Sequence, residues 1–91
     1  MSPQQRELLR LALLRVLESN ATAYGLGVEA LRHLAAPFGF TSPEAAAVVL
    51  EIQYLEDKGF VLPVNKVVSP ENRAWRISAA GRDSLAQLSG E

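Results

Sequence analysis

The sequence predicts an α+β fold, mostly α, in a single domain spanning residues 1–91. Two observations predict it: apolar residues recur at helical spacing in the first two-thirds of the chain, and a β-branched run with a turn signal follows. A chain of 91 residues supports one core built from a few elements, and a two-domain enzyme with an interdomain cleft is not expected. The predicted order is helix, short strand, helix, helix, β-hairpin and short C-terminal helix.

The first helix is predicted from Pro3 to about Ser19, in a segment rich in Leu, Gln, Glu and Arg. Two of its leucines, Leu11 and Leu14, fall among the charged residues on the side of the helix that lies opposite its apolar stripe. The following segment, 21–27, contains two glycines around Leu26 and suits a short strand. The apolar stripe that should face the core comprises Leu8, Leu9, Ala12, Leu13 and Val16.

Two further helices are predicted in the middle of the chain. The second begins at Val28, runs for about ten residues and is closed by Pro37 and Gly39. For the third, Thr41 and Glu44 stand at capping-box spacing, and the helix should continue to about residue 58, where a glycine ends it. Its core-facing side is expected to comprise Ala45, Val48, Ile52 and Leu55, and its outer side Ala46, Ala47, Leu50, Gln53, Tyr54 and Asp57.

The C-terminal third reads as a β-hairpin followed by a helix. Residues 60–78 contain two strand-like runs around a Ser-Pro-Glu-Asn turn signal, and Pro63 indicates an edge strand or a bulge. Alternation with Ile77 favours a packed position for Trp75 over stacking on a nucleic-acid base. Ser78 can cap a last helix from Ala79 to about residue 88.

Composition argues against most catalytic and metal-binding chemistry. Zero Cys excludes disulfides, a thiol nucleophile and thiolate zinc sites, and His33 is the single histidine. We therefore expect no enzyme, no cofactor and no metal. Because Arg10 and Arg15 interrupt the first apolar stretch, neither a signal peptide nor a membrane span is expected, and a cytoplasmic protein is. A net charge of −1 disfavours a surface that is basic all over.

Two local segments resemble a known family. The run Leu55-Glu-Asp-Lys-Gly-Phe-Val61 is similar to the Leu-Glu-x-x-Gly-Leu/Phe-Val motif of winged helix-turn-helix domains, including MarR-like and PadR-like bacterial and phage proteins. The run Ile77-Ser-Ala-Ala-Gly81 is similar to the Leu-Thr-x-x-Gly motif that follows the β-hairpin of these domains. That hairpin is known as the wing. The resemblance implies a DNA-binding, transcription-regulator-like protein whose third helix enters the major groove and whose wing contacts phosphates or the minor groove.

The resemblance also implies a set of contacts to double-stranded DNA. Thr41 and Ser42 would lie near a phosphate, Gln53 could read a base edge, and the wing would contribute cations. The wing cations can equally be the polar face that protects an edge hairpin from association. The implied nucleic-acid-binding residues are Thr41, Ser42, Gln53, Asn65, Lys66, Arg73 and Arg76.

A second function stays open because the outer face of the third helix carries no Arg or Lys. Under that alternative, this acidic and apolar helix docks a protein partner and DNA is not bound. Leu11, Leu14, Leu50 and Tyr54 together exceed what one small core needs, which predicts a protein interface, with a homodimer through the first helix as the favoured form. Within one chain, the last helix or the N-terminal arm could cover them instead.

Overall fold

A computed structural model describes residues 2–21, 24–64 and 73–88 and confirms the predicted α+β, mostly helical class. Within these residues the chain forms four α-helices and a small antiparallel sheet of three strands. The predicted order of elements is present in the described residues. The elements are α1 Pro3–Ser19, β1 Leu26–Gly27, α2 Val28–Leu34, a 3₁₀ turn Ala36–Phe38, α3 Ala45–Asp57, β2 Val61–Pro63, β3 Ala74–Ile77 and α4 Ala79–Leu88.

Helix α1 is the central helix of the core, but its buried side differs from the predicted stripe. The helix begins at a capping box, in which Ser2 Oγ accepts from the Gln5 backbone N–H and the Gln5 side chain accepts from the Ser2 N–H. Leu14 is only 2% exposed, whereas Leu8 is 50% exposed. The buried side is therefore rotated relative to the prediction, because α4 and α3 both pack against α1. It comprises Leu9, Ala12, Leu13, Leu14, Val16 and Leu17.

The start of α3 differs from the predicted capping box. Glu44 occupies the N-cap position, no side chain caps the helix, and the helix begins at Ala45. Upstream, Ser42 has a φ of 46°, and the buried Pro43 offers its carbonyl to Arg32 Nε at 2.6 Å. This long-range hydrogen bond holds the chain outside the helix, so Thr41 lies too far upstream to cap it. The core-facing residues Val48, Ile52 and Leu55 are buried as predicted.

The sheet has the strand order β1-β3-β2, so the last strand in sequence is the central one. Leu26 pairs with Trp75, and Val61 pairs with Ile77. Trp75 and Ile77 are buried on the core side, which confirms the packed position predicted for the tryptophan. Val64 N–H donates to the Ala74 carbonyl at 2.9 Å, so the neighbouring Pro63 has its nitrogen on the outer edge, where no donor is required.

One serine connects the end of α3 to the start of α4. Ser78 Oγ donates to the Gly59 carbonyl at 2.6 Å and accepts from the Gly81 N–H at 3.0 Å, as predicted for a helix cap. Gly59 has a φ of 78°, the left-handed conformation predicted for the stop of α3. At Gly81 the reason for glycine is space, since a Cβ would lie 2.1 Å from the Phe60 carbonyl oxygen.

We expect Gly81→Ala to lower the free energy of unfolding by about 2 to 3 kcal/mol, because the added methyl forces α4 away from the Phe60 backbone. For a domain of this size that loss lowers the melting temperature by roughly 10 to 20 °C, measured by circular dichroism. Gly27→Ala is the control, since a Cβ there meets its nearest neighbour, the Arg73 carbonyl oxygen, at 3.4 Å. Equal losses in the two variants would contradict the steric explanation.

Candidate nucleic-acid interface

A groove of about 260 Å³ lies between α3 and β3, with the start of α2 at one end. Its floor is apolar and its rim carries three polar side chains, which belong to Glu29, Gln53 and Arg73. Gln53 is exposed on α3, two residues after the buried Glu51, which faces α1. Arg73 precedes β3 and is half-buried. The apolar lining comprises Val28, Ala45, Val49 and Trp75.

The groove can form hydrogen bonds to a ligand, and it has one cation available to bind an anion. The amide of Gln53 can donate and accept at once, which is the pattern that reads adenine in the major groove. Arg73 makes no ion pair within the described residues and so retains its charge for an external anion. Glu29, by contrast, binds Arg32 through both carboxylate oxygens at 3.0 Å. The groove therefore offers one amide, one available guanidinium and a compensated acid.

The other residues predicted for DNA contact do not gather at this groove. Thr41 and Ser42 are exposed in the turn before α3 and do not line it. Arg76 alternates to the opposite side of β3 and borders a smaller cleft with Arg82. The predicted contacts at residues 65 and 66, Asn65 and Lys66, lie outside the described residues. The structure thus brings together two of the predicted residues, Gln53 and Arg73.

A buried acid on α3 was missed by the sequence analysis. Glu51 is 1% exposed and faces α1, where Arg6 Nε donates to one carboxylate oxygen at 2.9 Å and Arg10 Nε to the other at 2.6 Å. The i,i+4 spacing of the two arginines was the available signal. The negative charge that α3 presents to a ligand is therefore smaller than expected, because Glu51 is paired with two arginines. Glu56 is also occupied, accepting from Trp75 Nε1 at 2.8 Å.

The four residues predicted for a protein interface have different fates. Leu50 and Tyr54 are exposed on α3, at 52% and 38%, and Leu11 is half-buried on α1. Arg10 stacks its guanidinium over the Tyr54 ring, 3.8 Å from the centroid, which holds the tyrosine against α1. Leu14 is a correction: it is 2% exposed and belongs to the core, because α3 and α4 pack against α1.

Metal binding and membrane insertion would each need a feature of its own in the part of the chain that the structure describes, residues 2–21, 24–64 and 73–88. No group of three or more His, Asp or Glu side chains in that part of the chain is arranged to hold a metal ion. The described helices are too short or too polar to cross a bilayer.

We expect Glu51→Gln to lower the free energy of unfolding by about 2 to 3 kcal/mol, because two partly buried guanidinium groups lose their counter-charge. Urea denaturation measures the loss. Glu44→Gln is the matched control: it removes the same charge from the exposed N-cap residue of α3, whose side chain caps no N–H, and should change stability by less than about 0.5 kcal/mol. If the two variants were equally stable, Glu51 would not be the contact that joins α1 to α3.

Comparisons of this chain with protein-family models, with curated proteins and with solved structures find no match.

Proposed function

We propose that this protein is a non-enzymatic winged-helix domain that binds double-stranded DNA through the groove between α3 and β3. The order of elements supports the proposal, as do the motifs at 55–61 and 77–81, whose glycines have structural reasons: a left-handed stop at Gly59 and close backbone approach at Gly81. In this arrangement α3 approaches the major groove, and the β2–β3 hairpin approaches the phosphates beside it.

The observation that carries the proposal is the convergence of Gln53 and Arg73 on one groove. The two residues come from segments 20 positions apart in sequence, and they supply the two kinds of contact that a DNA reader needs. Gln53 would read a base edge, and Arg73 would bind a phosphate and fix the register of the domain on the duplex.

The charge distribution predicts weak and modestly salt-dependent binding. Glu51 is compensated by two arginines and opposes phosphates little, whereas Glu56 accepts only from a neutral indole and has no paired cation among the described residues. Glu44, the N-cap residue of α3, and Asp57, its last residue, are exposed. The groove itself contributes one cation, Arg73. Each neutralised phosphate contributes about −0.9 to the slope of log K against log salt, so the groove alone accounts for a slope of about −1.

A second candidate function is docking of a protein partner by the outer face of α3. Two observations favour it. Leu50 is 52% exposed beside Tyr54 on this face, and residues 45–57 of α3 include no Arg or Lys. An apolar partner surface would cover these two side chains, and DNA would not be bound.

Fluorescence anisotropy of a mixed-sequence duplex tests the proposal, with titrations at about 50 mM salt and at higher salt. We expect binding that weakens as salt rises. Arg73→Ala should reduce the magnitude of the salt slope by about one, because one phosphate contact is lost. Arg73→Lys keeps the charge and should keep the slope. On a selected preferred sequence, Gln53→Ala should cost about 1 to 3 kcal/mol of binding free energy.

Arg82→Ala is the matched control, since it removes the same charge from an exposed residue of α4 that does not line the groove. A slope reduced equally by Arg82→Ala would contradict the assignment of the groove. Absence of binding at low salt would overturn DNA binding and favour the docking function of α3.

A further inference from the structure

The outer ridge of α1 has features that make it complementary to itself. This ridge consists of Glu7, Leu11 and Arg15, which follow each other at i,i+4 spacing and therefore form one row along the helix. Its centre is apolar, one end is acidic and the other end is basic. We propose that a second copy of this chain covers the ridge, forming a two-fold dimer in which α1 packs on α1. This inference does not depend on DNA binding.

The surface around the ridge is apolar and open on both sides. Leu8 is 50% exposed on α1, next to the half-buried Leu11. On one side of these leucines, a groove of about 460 Å³ is lined by α1 together with Tyr54 and Leu88. On the other side, a groove of about 560 Å³ separates α1 from Phe38 and Phe40.

Grooves on both sides suit a helix that crosses α1 at an angle. Rows at i,i+4 spacing of two helices interdigitate at a crossing angle of about −50°, the commonest class of helix packing in globular proteins. A helix crossing in this way passes over the middle of α1 and extends beyond it on either side. Depressions are therefore required on both flanks, and the structure has them, with Leu8 and Leu11 lining both.

Charge complementarity selects a second copy as the helix that crosses. In a two-fold arrangement centred on Leu11, the two rows run antiparallel beside each other. Glu7 of each chain then lies beside Arg15 of the other, and the two Leu11 side chains meet at the axis. Neither Glu7 nor Arg15 makes an ion pair within the described residues of one chain, so both are available for these contacts.

Light scattering and sedimentation equilibrium at high micromolar concentration test the dimer. The unmodified chain should have the mass of two chains. Glu7→Arg and Arg15→Glu should each weaken the dimer by about tenfold or more, because each substitution places like charges together at both symmetry-related positions. The double variant Glu7→Arg with Arg15→Glu restores opposite charges and should recover the dimer.

Arg82→Glu is the control, because it makes the same charge reversal on α4 outside both grooves and should leave the dimer unchanged. Circular dichroism should show that every variant retains its helices, since the exchanged side chains have no ion pairs to lose within the described residues. A monomer at all concentrations would overturn the proposal. So would a dimer that both single variants leave intact, or a double variant that stays dissociated.

Discussion

The buried carboxylate of Glu51 is the constraint on which the arrangement of this molecule depends. A charge removed from water costs several kcal/mol unless cations and hydrogen bonds compensate it, and here both carboxylate oxygens are satisfied by arginines of α1. Sliding or rotating α3 against α1 would separate these groups. The ion pairs therefore fix one alignment of α3 against α1. The apolar contacts between the two helices alone would tolerate several alignments.

This register also separates the surfaces of α3. Since successive residues of a helix are about 100° apart, Gln53 lies about 200° around the axis from Glu51 and faces away from α1. Tyr54, about 300° from Glu51, stays near α1 and beneath Arg10. One side of α3 thus packs in the core, and another side lines the groove with β3. The exposed ridge of α1 belongs to neither the core nor that groove.

The parts of the fold that were predictable are those that local chemistry dictates. Helical spacing of apolar residues located the helices, and Gly59, Pro63 and Ser78 marked a helix stop, an edge strand and a helix cap. Errors arose where distant residues decide. The start of α3 depends on Arg32 reaching the Pro43 carbonyl, and the burial of Leu14 in place of Leu8 depends on what packs around α1. Within the site, strand alternation could have separated Arg73 from Arg76, but only the folded chain places Arg73 beside Gln53.

The central position of β3 has a consequence for how the chain folds during synthesis. Both edge strands pair with β3, whose residues 74–77 are made after both of them, and β1 lies near residue 26. Contacts between residues so far apart in sequence close late and slow the search for the native state. A nascent chain that has not yet extended past Ala74 therefore has helices to pair but no sheet. Until then Val61 lacks its partner strand, and the apolar residues that β3 covers in the folded chain have no strand packed against them.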